Sequence, residues 1–296
     1  MTNEFWDAPS PPFIEYNNGL PYDVVWYRGK KYRAPISYEL ETQIDGFDKT
    51  KIRCWISNQS GVMIETPSAT LLFDWYRCKL PRLRVDKPLH IFISHIHPDH
   101  FNSDLLKLPK RLKDVQIYMG YDYSDDWLNE VLEKLPENCS DSISCFRGNQ
   151  RLFIDGGIIT TLDSTDLGVA FLVKIDETTF FHGGDLFPWG GNRYIDFLNF
   201  TAPLQNVEID YAMLPLDPRF PEAAKFCITR YLQCARITCF SPVHLWDKPE
   251  FIDVFASTNP DLCKGLLFPR HTEQSIETII AGSPAQIRRF IDYCKE

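Results

Sequence analysis

The sequence predicts an α+β protein built as a four-layer αββα sandwich, and three observations carry that expectation. Strand patterns followed by helix patterns occur in two successive halves. Residue types that bind metal collect on loops at predicted strand ends. The 296 residues, 44% hydrophobic, suit one large domain and supply ample core, and no solenoid-length repeat interrupts them.

Residues 1–50 precede the patterned body as an extension. Pro9, Pro11, Pro12, Pro21 and Pro35 stand among Phe5, Trp6, Phe13, Tyr16, Tyr22 and Trp26. Disordered tails are poor in aromatics, so the extension is expected to pack on the body, walling a site, supporting a homo-oligomer or covering an apolar face. Within it Tyr22–Tyr27, Arg28-Gly29 and Lys30–Arg33 read as a hairpin with Gly at the turn.

The body, residues 51–296, opens with predicted strands at Ile52–Ser57, Gly61–Glu65 and Ala69–Asp74, then Leu89–Ile93. A helix is predicted from Asn102, whose side chain can cap, through Leu105, Leu106 and Leu108. Val115–Met119 reads as a strand and Asp125–Leu135 as a helix. A second run of strands follows at Ile158–Leu162, Gly168–Ile175 and Thr178–Phe181. Later come strand Ile209–Leu214, helix Pro221–Cys234, strand Arg236–Phe240 and a short helix at Pro249–Ala256. A last helix is expected from the capping box Ser283-Pro284-Ala285-Gln286, with Ile287, Phe290, Ile291 and Cys294 on one face.

Ser94-His95-Ile96-His97-Pro98-Asp99-His100 places three of the seven histidines on the loop leaving the apolar run Leu89–Ile93. Imidazoles two apart on an extended loop converge on one metal ion. The Asp-His pair beyond a proline-stiffened turn reaches a second. A lone histidine would read as core or solvated, but buried imidazoles and carboxylates need partners, and this spacing gives them a metal.

That H-x-H-x-D-H spacing resembles the signature of the metallo-β-lactamase superfamily. Other segments follow in the family's order: Leu71-Leu72-Phe73-Asp74, then Phe181-His182-Gly183-Gly184-Asp185, then Cys239-Phe240-Ser241-Pro242-Val243-His244. The resemblance covers residues 50–282. It implies that His95 and His97 serve one metal, that Asp99, His100 and His244 serve the other, and that Asp185 bridges them. Asp74 would orient a ligand loop through its hydrogen bonds.

One family element is missing. A third histidine usually reaches the first metal from the loop between these segments, yet His182 alone lies there, too close to Asp185. The loop expected to supply it reads Asp163-Ser164-Thr165-Asp166-Leu167. Asp166 is the candidate replacement, with Asp163 behind it, since a carboxylate is a competent ligand; the alternative is that Asp166 only caps a turn.

By the same resemblance the chain is expected to be a metal-dependent hydrolase, with zinc as two ions or one and manganese or iron as alternatives. Asp99 would also shuttle a proton. The Ser-His-x-His-x-Asp-His-Phe style is similar to the branch containing ascorbate-phosphate lactonase and phospholipase-D-like enzymes, which favours a small-molecule ester, lactone, amide or phosphodiester. A non-haem iron oxidoreductase and a non-catalytic metal-binding protein are the other readings. Trp189 and Trp246, beside ligand positions, are expected to wall the substrate pocket, as alternatives to simple packing; Trp75, Tyr76 and Phe187 invite the same question. Arg193 and Arg219 are placed on loops that could hold an anionic group.

A net charge of −9 disfavours nucleic acid, and the basic stretches Arg28–Arg33 and Lys79–Arg84 lack the aromatic interleaving of a binding platform. No membrane span or signal peptide is read. The nine cysteines form no C-x-x-C pair, so a cytoplasmic location is expected.

Overall fold

Two six-stranded mixed sheets face one another. The computed structural model describes residues 26–27, 30–31, 40–41, 52–56, 60–76, 80–121, 126–133, 137–246, 248–267, 276–280 and 287–292. The first sheet holds β1 (Arg53–Ile56), β2 (Val62–Glu65), β3 (Thr70–Phe73), β4 (Leu89–Ile93), β5 (Val115–Gly120) and β6 (Ile143–Phe146), in the order β6-β5-β4-β3-β2-β1. The second holds β7 (Arg151–Ile154), β8 (Gly157–Asp163), β9 (Val169–Ile175), β10 (Thr178–His182), β11 (Glu208–Pro215) and β12 (Arg236–Val243), in sequence order. Strands β3 to β6 run parallel, as do β10 to β12; the remaining pairs are antiparallel.

Side-chain alternation assigns the layers. Leu71 and Phe73 of β3, Phe92 of β4 and Val62 and Ile64 of β2 join Phe171, Val173, Phe180 and Met213 in the apolar core between the sheets. Their neighbours Leu72, Ile91, Ile93 and Met63 point outward under a 3₁₀ helix, Ser103–Lys110, whose Leu105, Leu106 and Leu108 cover them. The longer α-helices are α1 (Asp126–Glu133), α2 (Arg193–Thr201), α3 (Pro221–Cys234) and α4 (Phe251–Thr258). Phe197 of α2, Cys227, Ile228 and Tyr231 of α3 and Phe255 of α4 cover the outer face of the second sheet. Each sheet is thus apolar on both faces, which explains the near-continuous hydrophobic runs of its parallel strands. This is the four-layer α+β sandwich of the metallo-β-lactamase type.

Three expectations need correction. The helix after Asn102 is 3₁₀, capped as expected by Asn102, whose side chain accepts from the Asp104 amide at 3.0 Å; Pro109 inside it removes a donor an α-helix would need. The segment expected as a closing helix is a strand at Ile287–Asp292, antiparallel to Ile276–Ile280. The capping box lies outside the described residues, and pairing with a partner rich in β-branched residues overrides a local helical period. Arg193 lies on α2 rather than on a loop.

In the extension, Trp26–Tyr27 pairs antiparallel with Lys30–Lys31, with Tyr27 opposite Lys30, as the hairpin reading expects. Leu40–Glu41 runs parallel to Leu83–Arg84. The remainder of the packing expected for residues 1–50 falls outside the described residues.

Candidate metal centre

Every predicted site residue sits where a strand releases the chain at one edge of the sandwich. Asp74 follows β3, the segment from Ser94 to His100 follows β4, Asp166 lies between β8 and β9, Asp185 follows β10 and His244 follows β12. The C-terminal ends of parallel strands are where α/β folds place ligands. One backbone hydrogen bond ties the β4 exit to the second sheet, the Val169 amide donating to Ser94 O at 3.0 Å, and Gly120 and Gly168 close on that same oxygen. A Cβ on Gly120 would lie 2.0 Å from Ser94 O, and one on Gly168 1.8 Å from it.

The donors form two groups. His95, His97, Asp166 and Asp185 each offer an atom, all within 4.8 Å of one another, and so do Asp99, His100 and His244. In the first, His95 Nε2 lies 3.6 Å from Asp185 Oδ2, and His97 Nδ1 lies 3.0 Å from His95 Nε2 and 3.6 Å from Asp166 Oδ2. In the second, Asp99 Oδ2 lies 3.5 Å from His100 Nε2 and 3.4 Å from His244 Nε2. Asp185 touches both, because its Oδ1 is 3.2 Å from His100 Nε2 and 3.5 Å from His244 Nε2. The chain places Asp166 in the first group, while Asp163 lies away from it and accepts from Asn149.

Partners on the far side of each ring fix which nitrogen faces inward. Asp74 Oδ1 accepts from the Ser94 amide at 2.6 Å and its Oδ2 from the Ser94 hydroxyl at 2.5 Å. With its proton committed there, the Ser94 oxygen accepts from His95 Nδ1 at 3.0 Å. His100 Nδ1 donates to Asp74 Oδ2 at 2.8 Å, and His244 Nδ1 to Asp217 Oδ2 at 3.0 Å. In all three rings a protonated Nδ1 leaves the Nε2 lone pair for a metal. His182 is different: the Gly184 amide donates to its Nδ1 at 3.2 Å, its Nε2 donates to Ser60 O, and burial holds its pKa below the usual value. It packs on Phe73, with ring centroids 5.4 Å apart.

Without a bound ion, the buried carboxylates hold protons on His100 and His244, the place a metal cation would otherwise take. Burial opposes charge on His100 and His244, yet Asp185 and Asp99 outweigh it; the His100 pKa stands well above its usual value and that of His244 is pushed up to about 10. Asp99 and Asp185 are held below the carboxylate range against burial, through His100 and His244. In the first group, burial and then Asp185 raise the Asp166 pKa, as two carboxylates facing one space must. Asp185 Oδ1, buried at the junction of the groups, has no hydrogen-bond partner. An orphaned carboxylate oxygen amid inward lone pairs is the pattern a metal completes, so the residues fit one.

Asp74, His244 and Trp246 adopt left-handed backbone at φ 41°, 66° and 51°. Such conformations cost on the order of 1–3 kcal/mol each and persist where surrounding contacts enforce them. Trp189 and Trp246 both stand edge-on to His244, at centroid distances of 5.6 and 5.3 Å, and the Trp189 indole donates to Asp185 O at 3.1 Å. Trp75, Tyr76 and Phe187 are buried, and Trp75 and Phe187 pack in the apolar clusters. The two arginines expected to hold an anion are engaged by the protein. Arg193 donates to Thr165 O, and Arg219 forks onto Asp217 while lying 4.1 Å from the Trp246 ring.

Sequence reasoning missed Asp217, Ser94 as an ordering hydroxyl, and Ser60, whose hydroxyl is 3.3 Å from His100 Nε2. Asp217 had a usable signal: an aspartate two residues past the end of β11, beside strand ends that carry the other site residues.

No protein-family model matches the chain, and no curated protein is detectably similar to it. Solved structures do match. Igni18, a metallo hydrolase of the archaeon Ignicoccus hospitalis, aligns with TM-score 0.52 at 14% identity over 77% of this chain and 98% of its own. CmlA, a diiron β-hydroxylase of Streptomyces venezuelae, aligns with TM-score 0.51 at 10% identity over 74% of this chain, which spans about half of CmlA, 53%. YhfI of Bacillus subtilis, a metallo-β-lactamase fold protein, has TM-score 0.45 at 17% identity, over 70% of this chain and 91% of its own. The alignments with Igni18 and CmlA, together with the αββα layering, show the fold expected from the sequence, that of the metallo-β-lactamases. At these identities the likeness concerns the fold.

Proposed function

We propose that the chain is a metal-dependent hydrolase of a small-molecule ester, lactone, amide or phosphodiester. His95, His97 and Asp166 would hold one ion, Asp99, His100 and His244 a second, and Asp185 both. The observation that carries this reading is the shared Asp185, whose buried Oδ1 lacks a hydrogen-bond partner between two sets of donors. Bound ions of this kind bring the pKa of water toward neutrality and polarise a scissile carbonyl or phosphoryl group. The chain's own part is orientation and proton handling. Asp74 and Asp217 hold the imidazoles, Asp99 Oδ2 stands between His100 and His244 to take a proton, and Trp189 and Trp246 exclude water beside His244. Zinc as two ions is the first expectation.

A second reading, a non-haem iron oxidoreductase, is favoured by Asp166, because a carboxylate where a histidine is usual suits harder ions such as iron or manganese. That CmlA is a diiron enzyme fits the same fold. One experiment separates the readings: metal analysis of protein purified without added metal, with hydrolysis of ester, lactone and phosphodiester probes and oxygen uptake measured on the same sample. Zinc or manganese with hydrolysis supports the first; iron with oxygen uptake replaces it with the second. His97→Ala should lower metal content and turnover together. Asp166→Ala should lose about one equivalent while Asp163→Ala loses none. Unchanged metal content in His97→Ala would sink both readings.

A further inference from the structure

At the opposite end of the first sheet lies a cavity of about 230 Å³. It opens by the N-terminal ends of β3 and β4, at Thr70 and Leu89, whereas the metal donors leave their C-terminal ends. The five residues of β4 set the two sites apart by about 16 Å, at roughly 3.3 Å per residue. Among the described residues that line it, four are cationic, Arg84, Lys87, Arg111 and Lys113, and none is acidic. In a chain of net charge −9 this is a local reversal of sign.

The inner cations are fixed in place. Arg84, 6% exposed, is forked onto Asp86 at 2.8 and 2.6 Å, and Lys87 donates to Thr66 O at 2.5 Å. Burial lowers the Lys87 pKa, Glu65 acting against it, so this amine is partly stripped of the water that would stabilise its charge. Arg111 and Lys113 stand exposed at the rim, and Leu83, Leu89 and Leu112 supply an apolar wall. The floor is Thr70, a buried residue whose hydroxyl has no hydrogen-bond partner. The carboxylates that bear on the Lys87 amine, Glu65, Asp86 and Asp176, do not line the cavity.

We propose that this cavity binds a compact phosphoryl-bearing anion at a site separate from the metal centre. Its volume lies below the 300–1,000 Å³ of drug-sized pockets, which selects a small phosphorylated molecule over a nucleotide. Fixed guanidinium and ammonium donors around a partly dry space suit phosphoryl oxygens. The site does not depend on the reading of the metal centre.

The test is calorimetric titration of the full chain, as purified, with inorganic phosphate at low ionic strength, with acetate as the charge control. Three proteins are compared: wild type, the exposed-rim double variant Arg111→Gln/Lys113→Gln, and His97→Ala. Saturable phosphate binding is expected in wild type and His97→Ala, at least tenfold weaker in the double variant, with acetate not competing. Absence of saturable binding to wild type, an unchanged affinity in the double variant, or acetate competing equally overturns the proposal. Loss of binding in His97→Ala alone overturns it too, by assigning the phosphate to the metal centre.

Discussion

Asp217 gathers an imidazole, an indole and a guanidinium onto one carboxylate. It accepts from His244 Nδ1, from the Trp246 indole at 3.2 Å and from both arms of Arg219, and it is fully buried. The Arg219 plane then lies on Trp246, so one carboxylate orients an imidazole and an aromatic wall together. Asp217→Asn keeps the volume but removes the charge that makes Nδ1 the protonated nitrogen. Metal affinity should fall about 10- to 100-fold, the usual result when an outer partner of a ligand histidine is lost. Chelator competition checks this: an unchanged chelator midpoint would show that His244 needs no partner, and melting on the same preparation reports any loss of fold.

At the scale of elements, β4 carries a built-in acid sensitivity. Its His90 is buried, its ring stacked near Tyr118 at 5.7 Å with Nδ1 3.1 Å from the phenol oxygen. Burial, opposed by Asp155, takes its pKa from 6.5 down to about 4. Between these values the unfolded chain binds a proton that the folded one refuses, so stability is full above 6.5 and declines as pH falls toward 4. The decline attributable to His90 is about 3 kcal/mol at 1.36 kcal/mol per unit. In metal-free protein, denaturant unfolding at pH 7 and pH 4 should show a smaller loss for His90→Gln than for wild type; equal losses would remove His90 as the cause. The strands themselves were legible because alternation and apolar runs are written locally, and β3, β4 and α3 fall close to where their patterns put them. Ile287–Asp292 was not, since its helical spacing is local while its strand partner, Ile276–Ile280, is not. Strands β6 and β7 and helix α2 escaped for a related reason: Ile143, Leu152 and Ile195 sit on partly exposed faces with weak periodicity.

Seen whole, the two sheets meet at a seam of donors. Each group draws on both: His95 and His97 leave the first sheet to meet Asp166 and Asp185 of the second, and Asp99 and His100 meet His244. The H-x-H-x-D-H segment made half of this seam readable, because its donors are adjacent in sequence. Asp217 and Ser60 were hidden, since their value lies in contacts across 27 and 40 residues. Ions held there would join the sheets, so chelation should lower the melting temperature of the whole molecule; a ligand at 1,000 times its Kd contributes about 4 kcal/mol. Calorimetry before and after dialysis against chelator measures it, and an unmoved transition would mean the seam holds without metal. The backbone beside this seam also bears on how the chain can diversify. Ser94 O is hemmed by main chain at Gly120 and Gly168, where any side chain would collide at 2.0 and 1.8 Å. Gly191, at φ +55°, meets nothing within 4 Å, so there only backbone strain resists substitution, about 1–2 kcal/mol. In a saturation library sorted for folded protein, codons 120 and 168 should return glycine alone, whereas codon 191 should admit asparagine and aspartate.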